Sequence, residues 1–297
     1  MKRFWVTLLC VLAATGAVRA QYDMLILNPD ARSSGMGGVA MTNIGSSHAI
    51  FGNASAALFS RIPFQISSTY SGHDGGNYYA VSGYGRIRAR SVLEAGWRMF
   101  DYRGGSDMAF DASYSRFVIP TVALGITARY VRYNPDAAAA NHALAVDLST
   151  SCRLPLPALP ENSALVLGAK LANLGGYLTR SVEGSHLLPV NLKVGAALDW
   201  WTRDAHEVTL AADYGYYFTP SAVSGSEISV GVEYNLMQLI RFRGGYHVGQ
   251  RSRYYPNYGS VGVGLRFMHV RLDLSYLFAS RSSALHNAYG LSFGFDF

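Results

Sequence analysis

Charged residues recur at alternate positions near the C-terminal end of the chain. One residue separates Arg241 from Arg243, and one separates Arg271 from Asp273, so each pair points to one side of a strand. Neighbouring strands lie about 4.8 Å apart, which allows such side chains to form ion pairs between strands. The candidate site is a ladder of lumenal ion pairs formed by Glu233, Arg241, Arg243, Arg266, Arg271, Asp273 and Asp296.

Two roles are open to this ladder. It can neutralise charge inside a narrow barrel and anchor an N-terminal plug. Alternatively, it can line a pathway for an anionic substrate. The second role requires excess positive charge that is open to solvent, and this feature separates the two interpretations.

The spacing of the other reactive residues does not indicate an enzyme, a metal site or a cofactor site. No His-x-x-x-His, His-Glu-x-x-His or Gly-x-Ser-x-Gly pattern occurs. The glycines at 35–38 lack the strand and the Lys-Ser/Thr of a phosphate loop. His142 with Asp147, or His247 with Ser260, could be fitted to a catalytic set, but ordinary lumenal polarity explains them better.

Composition and the N-terminus indicate an exported β-rich protein. The 297 residues are 49% hydrophobic and only 15% charged, against about 25% charged in soluble domains. Residues 1–20 have the basic start, apolar run and Ala-x-Ala-like end of a signal peptide. Its removal takes away Lys2, Arg3 and Arg19, so the net charge falls from +6 to +3, and no nucleic-acid partner is indicated. Cys152 would then be the only cysteine, which excludes an internal disulfide.

From Pro63 onward, apolar and small or polar residues alternate with period two. Val190 to Trp200 is typical, with apolar residues at even positions and Asn191, Lys193 and Asp199 on the other face. Segments of this length suit strands that cross a bilayer at a tilt. The predicted strands are 63–72, 77–88, 91–102, 107–118, 121–132, 142–153, 163–174, 190–201, 206–217, 226–236, 239–249, 257–267, 269–279 and 287–297.

The sequence therefore predicts an all-β fold, a transmembrane antiparallel β-barrel of about 14 strands over residues 63–297. Residues 21–62 do not alternate, and we expect them to form an N-terminal plug segment with a short helix near Ser55–Ser60. Connections should be long at one end and short at the other, except for a Pro-rich turn at 154–162. An open sheet would leave unpaired edges in lipid, so the last strand should pair with the first.

The last strand carries aromatic residues on one face. Phe293, Phe295 and Phe297 alternate with Ser292, Gly294 and Asp296. This ending resembles the C-terminal signature of bacterial outer-membrane barrels. The resemblance implies the barrel-assembly machinery and outer-membrane lipid as partners, and the outer membrane as location.

A second resemblance concerns the plug segment and covers almost the whole predicted mature chain. Leu27 to Ala40 resembles the N-terminus of the PorV/PorQ family of FadL-like barrels, which belong to the type IX secretion system of Bacteroidota. The residues that carry it are Asn28, Pro29, Asp30, Arg32, Gly35, Gly37 and Gly38. Weaker matches follow in order, including Phe110 to Tyr114 and Leu188 to Gly195.

The PorV resemblance implies a non-enzymatic role in protein secretion. Such a barrel receives secreted proteins through their C-terminal sorting domain and passes them from the translocon to attachment-complex subunits. Loops 133–141, 175–189, 218–225 and 250–256 would form the binding face.

The alternative is FadL-like passive uptake of a hydrophobic small molecule. It needs an apolar lumenal pocket, whereas the inward positions are mainly Gly, Ala, Ser and charged residues. A purely structural barrel also remains open.

Overall fold

The computed structural model describes residues 24–135, 139–178, 188–202, 206–221, 223–249, 256–281, 283 and 285–297. The predicted signal peptide at 1–20 lies outside these residues. None of the helices in these ranges is long and apolar enough to cross a membrane.

Fourteen antiparallel strands form one closed barrel, in which each strand pairs with its neighbours in the chain. This confirms the predicted fold class and strand count. The strands are β1 (Phe64–His73), β2 (Gly76–Arg88), β3 (Ser91–Tyr102), β4 (Gly105–Ile119), β5 (Val122–Pro135), β6 (Asn141–Pro155), β7 (Ala164–Tyr177), β8 (Asn191–Trp201), β9 (His206–Tyr217), β10 (Gly225–Leu236), β11 (Ile240–Gly249), β12 (Tyr258–Phe267), β13 (Val270–Ala279) and β14 (Tyr289–Asp296).

Alternation along each strand separates a lipid-facing surface from a filled lumen. On β10, Ile228, Val230 and Val232 are exposed on the outer face, whereas Glu227, Ser229 and Glu233 are buried on the inner face. Closure leaves no unpaired strand edge, which matters because each unsatisfied backbone group in hydrocarbon costs several kcal/mol.

The barrel closes between β1 and β14, as predicted. The register runs from Gln65 opposite Asp296 to Gly72 opposite Tyr289. Beyond the ladder, the Phe297 N–H donates to the Phe64 carbonyl oxygen at 2.9 Å. The Phe64 and Phe297 rings lie 5.4 Å apart and cover this seam on the lipid side.

The two ends of the barrel differ in their connections. The turn mouth carries the connections 89–90, 120–121, 156–163, 202–205, 237–239 and 268–269. The loop mouth carries 74–75, 103–104, 136–140, 178–190, 218–224, 250–257 and 280–288. The Pro-rich turn is the long exception at the turn mouth, although β6 runs two residues further into it than expected and ends at Pro155.

Residues 24–62, the N-terminal segment, lie inside the barrel. The segment contains helix α1 (Ala31–Gly35) and 3-10 helices at Ser47–Ile50 and Ala54–Phe59. The last of these is the short helix expected near Ser55–Ser60. Ile50 and Phe51 pack against the lumenal side chains of Tyr78 and Phe100.

Glycines on the wall allow the N-terminal segment to approach the strands. A Cβ at Gly245 would overlap backbone atoms of Met36 and Gly37, and a Cβ at Gly231 would overlap the Met36 carbonyl group. Gly37 itself has φ +70°, in the left-handed region. Backbone therefore packs on backbone at this contact.

Candidate functional site

The predicted ladder includes a charged cluster that joins α1 to the barrel wall. We call Arg32, Glu233, Arg243 and Asp273 the clamp. Arg32 donates to both Glu233 oxygens, at 2.8 and 3.1 Å. Arg243 donates to Glu233 as well and forms an ion pair with Asp273 at 2.7 Å. The clamp contains two cations and two carboxylates, so its charges balance.

The remaining ladder residues lie nearer the turn mouth, and Asp296 forms ion pairs with two arginines. Arg266 and Arg271 each approach an Asp296 oxygen at 3.0 Å. Arg271 also donates to the Gly45 carbonyl oxygen at 3.0 Å. Arg241 is half-buried beside the clamp and takes part in none of the ion pairs among the described residues. The two roles of the ladder, anchoring of the N-terminal segment and passage of an anion, both stay predictions.

The N-terminal motif is a folded unit held by its own hydrogen bonds and by the wall. Asn28 Oδ1 accepts the Asp30 N–H at 3.1 Å. Asp30 caps α1 by accepting the Arg32 N–H at 3.2 Å, and Asn43 donates to Asp30 at 2.6 Å. The Gly37 N–H donates to Ser260 Oγ at 2.8 Å. Pro29, Gly35 and Gly38 complete this unit.

A second charged cluster lies on β3–β7, and the sequence analysis missed it. We call it the cavity network, formed by Arg98, Asp111, Arg129, Asp147 and Lys170. Its carboxylates are shared: Asp111 pairs with two arginines, and Asp147 pairs with Arg129 at 2.8 Å and with Lys170 at 3.0 Å. All five side chains are buried, and there are three cations for two carboxylates. The available signal was that each of these strands carries at least one charged residue at an inward position, with two on β3 (Glu94 and Arg98) and two on β4 (Asp107 and Asp111).

An internal cavity separates the N-terminal segment from the loop-mouth half of the wall. Its volume is about 120 Å³. The cavity network contributes its three cations to the lining. The apolar part of the lining includes Leu25, Leu27, Phe51, Tyr78, Leu277 and Leu285. Half of these residues belong to the N-terminal segment, which explains why an inventory of inward strand positions did not reveal apolar surface.

The histidines considered for catalysis are engaged elsewhere. His142 lies on the opposite face of β6 from Asp147 and bonds Tyr130 Oη at 2.6 Å. His247 bonds Ser229 Oγ at 2.9 Å, while Ser260 accepts from Gly37. Among the described residues, no three His, Cys, Asp or Glu side chains cluster as metal ligands.

The aromatic C-terminus faces lipid. Phe293 and Phe295 are exposed on the outer side of β14, with ring centroids 4.9 Å apart, and Phe297 continues the row. Recognition of these residues by the assembly machinery stays a prediction.

Fold and site together define a closed membrane barrel that holds its N-terminal segment inside. A small cavity lies between this segment and the loop-mouth half of the wall. No family model and no curated protein matches the chain. Similar crystal structures include the toluene transporter TbuX of Ralstonia pickettii, with a TM-score of 0.60, 12% identity, and coverage of 91% of this chain and 99% of that one. The toluene transporter TodX of Pseudomonas putida is similar as well, with a TM-score of 0.60, 11% identity, and coverage of 88% of this chain and 95% of that one.

A FadL homologue of Pseudomonas aeruginosa is also similar, with a TM-score of 0.54, 11% identity, and coverage of 90% and 98%. At this identity the likeness establishes the fold, which resembles that of FadL-family outer-membrane barrels.

Proposed function

We propose that this protein is a non-enzymatic outer-membrane barrel that binds a hydrophobic small molecule in its internal cavity and passes it across the membrane. The proposal rests on the size and lining of the cavity. Its volume of about 120 Å³ compares with an engineered apolar cavity of about 150 Å³ that binds benzene. A single-ring compound therefore fits, and the likeness to two toluene transporters supports this substrate class.

The lining suits a ring with one polar or anionic substituent placed at Arg129 and Lys170, because the carboxylates in the lining, Asp213 and Glu227, come from β9 and β10 on another part of the wall. Leu277 and Leu285 offer apolar contact on one side, while Arg129 and Lys170 face the same space from β5 and β7. In the cavity network each carboxylate is paired with more than one cation. The cations are therefore not fully neutralised and can still form a charge-assisted hydrogen bond to a ligand.

Passage then requires the start of the N-terminal segment to move. Met24 is held by its carbonyl oxygen, which accepts from Tyr78 Oη at 2.7 Å and from Arg98 at 3.4 Å. These bonds are fewer than those that hold α1. A displacement limited to residues 24–29 opens the cavity and leaves the clamp intact.

A matched pair of substitutions tests the cavity. Leu277→Trp fills it, whereas Leu274→Trp places the same side chain on the lipid-facing side of the same strand. We expect toluene and benzoate binding, measured by calorimetry on the refolded barrel, to be lost in the first variant and kept in the second. Equal binding by both variants would contradict the proposal.

The sequence resemblance to the PorV/PorQ family supports a second candidate, a shuttle for secreted proteins that carry a C-terminal sorting domain. Its predicted binding face includes residues 136–138, 179–187, 222 and 250–255, which lie outside the described residues. Affinity purification with a tag in 218–225 separates the candidates. Co-purified translocon subunits and secreted proteins favour the shuttle, and a lone barrel with a bound hydrophobic molecule favours uptake.

A further inference from the structure

The lipid-facing surface of β2–β5 contains a groove whose floor is a row of small residues. These residues face one another across four consecutive strands, so no side chain larger than a methyl group interrupts the row. The row consists of Gly83, Ala95, Ala112 and Ala128. The rest of the barrel offers a comparison at Ala196 and Ala212, where only two small residues are paired and Leu167 and Val230 flank them in the same row.

Larger side chains form both walls of this outer groove. Trp97 and Phe110, which are cross-strand partners, stand on the side of the loop mouth. Leu93 and Tyr114, also partners, stand on the side of the turn mouth. The open space between the walls is roughly 960 Å³, and its lining is mainly apolar. The groove is large enough to hold part of a hydrocarbon chain.

The turn-mouth side of the groove is bordered by three arginines, the arginine row. Arg88 and Arg116 flank Ser91 in the next cross-strand row on the same face, and Arg90 lies in the adjoining turn. All three are exposed. No ion pair or hydrogen bond among the described residues uses the guanidinium of Arg88 or Arg90, and Arg116 reaches only Tyr114.

Other arginines at the turn mouth are engaged, which distinguishes the arginine row from a general basic rim. Arg61 donates to Asn162 Oδ1 at 2.8 Å, and Arg153 donates to the Asn162 carbonyl oxygen at 3.0 Å. Arg86 donates to the carbonyl oxygens of Leu58 and Ser60. Free positive charge is therefore concentrated directly beside the groove.

The spacing matches a membrane lipid. Rows on one face of a strand lie about 6.8 Å apart, so the groove floor is roughly 14 Å from the arginine row. A strand tilt of about 40° reduces this separation to roughly 10 Å of depth, within the ~15 Å hydrocarbon thickness of one leaflet. Short turns of such barrels face the periplasm, where the leaflet consists of glycerophospholipids.

We propose that the outer face of β2–β5 binds one anionic glycerophospholipid of the periplasmic leaflet. Its phosphate lies on the arginine row, with Tyr114 beside it, and one acyl chain lies in the outer groove. Charge complementarity selects the anionic headgroup, because three guanidiniums lack a protein carboxylate. The site is independent of the cavity and of what the barrel transports.

Trp97 provides a local reporter for this site. The test uses the full chain with Trp5, Trp200 and Trp201 replaced by Phe, refolded into vesicles that contain phosphatidylglycerol or phosphatidylcholine with brominated acyl chains. Bromine quenches tryptophan fluorescence on contact. We expect the relative binding constant at Trp97 to favour phosphatidylglycerol by at least about tenfold, since one interfacial arginine is worth about fivefold.

A second single-tryptophan protein that retains Trp200, which is lipid-facing on β8, is the matched control. It should show no headgroup preference. Equal quenching by both lipids at Trp97, or the same preference at Trp200, would overturn the proposal. Displacement of phosphatidylglycerol by an equal amount of lipid A would overturn it as well, because the proposal assigns the site to a glycerophospholipid.

Variants separate the headgroup from the acyl-chain contact. Arg88→Gln with Arg116→Gln should remove most or all of the preference, because each lost arginine is worth about fivefold. Arg281→Gln, a change at an exposed residue of the loop mouth, should leave it unchanged. Ala112→Leu should weaken phosphatidylglycerol binding, and Ala196→Leu should not.

If the double variant does not fold, a salt titration of the unsubstituted protein tests the same point. In 0.5 M NaCl the preference for phosphatidylglycerol should fall as the charges are screened, and a salt-independent preference would refute the proposal.

Discussion

The clamp and the cavity network are both buried charged clusters, yet they act on different neighbours. In the clamp, two cations and two carboxylates balance, and Arg32 comes from the N-terminal segment itself. In the cavity network all five members belong to the wall, one cation exceeds the carboxylates, and the N-terminal segment contributes only the carbonyl oxygens of Met24 and Phe51, which accept from Arg98 and Lys170. Balanced charge shared between two elements fixes their relative position. Unbalanced charge on one element leaves attraction for something else.

The largest effect is expected when the clamp loses its central arginine. Arg243→Ala leaves Glu233 and Asp273 buried with fewer partners, and breaking a buried pair in this way costs about 3–5 kcal/mol. The free energy of unfolding, measured from urea titration in liposomes, should fall by this amount. Arg281→Ala is the exposed control. Equal urea midpoints for the two variants would show that the clamp does not stabilise the protein.

The cavity network should respond less in stability and more in binding. Asp147→Asn keeps the shape and an acceptor oxygen but leaves Arg129 and Lys170 with one carboxylate fewer, so it should cost about 3 kcal/mol, the lower end of the range for a broken buried pair. It also raises the excess of positive charge beside the cavity, so benzoate binding should strengthen relative to toluene. In Arg243→Ala the ratio of the two affinities should stay constant. An equal change of that ratio in both variants would remove the distinction between the clusters.

The backbone contact beside the clamp gives a smaller effect with a neighbouring control. A Cβ at Gly245 overlaps backbone of the N-terminal segment, whereas a Cβ at Gly244 meets nothing closer than 4.0 Å. Gly245→Ala should cost about 1–3 kcal/mol, and Gly244→Ala should stay within about 0.5 kcal/mol. Hydrogen exchange of residues 24–62 should rise only in the first variant. Unchanged exchange would indicate that the wall adjusts.

The smallest effect concerns pH and His48, a residue of the N-terminal segment. Its ring nitrogens bond Ser82 and Thr69 at 2.7 Å each, and burial lowers the pKa of His48 below its ordinary value. The released segment takes up a proton below about pH 6.5, so the bound state loses up to about 1.4 kcal/mol per pH unit below that point. Protease resistance of the segment at pH 7.5 and 5.5 measures this loss. His48→Gln should show a weaker pH dependence, and an unchanged one would exclude His48 as its source.

Much of the fold is predictable because it depends on local alternation. The period-two pattern predicts strands such as β8 and β10 and their outward faces, and the need to avoid open edges predicts the β1–β14 pairing. Ladder residues such as Arg241 and Arg243 are visible because they lie two positions apart on one strand.

The cavity network was not predictable, because its members meet only through the register between strands. Its position also depends on an irregularity in the ladder between Val146 and Leu148. There Asp147 accepts the N–H of Asn173, a residue with φ +61°. Nothing local in the sequence marks such a bulge. The apolar cavity lining was missed for a similar reason, since Leu25, Leu27 and Phe51 are distant in sequence from the strands they face.

The wall glycines also limit how this protein can change over generations. At Gly195 the added Cβ would meet the Asp213 carboxylate and the Met41 Cβ, so a smaller side chain at 213 together with glycine at 41 would restore the space. At Gly231 and Gly245 the obstacle is the main chain of Met36 and Gly37, which no substitution can shorten. Relatives with the same N-terminal segment should therefore vary together at 195, 213 and 41. They should retain glycine at 231 and 245 whatever molecule they carry.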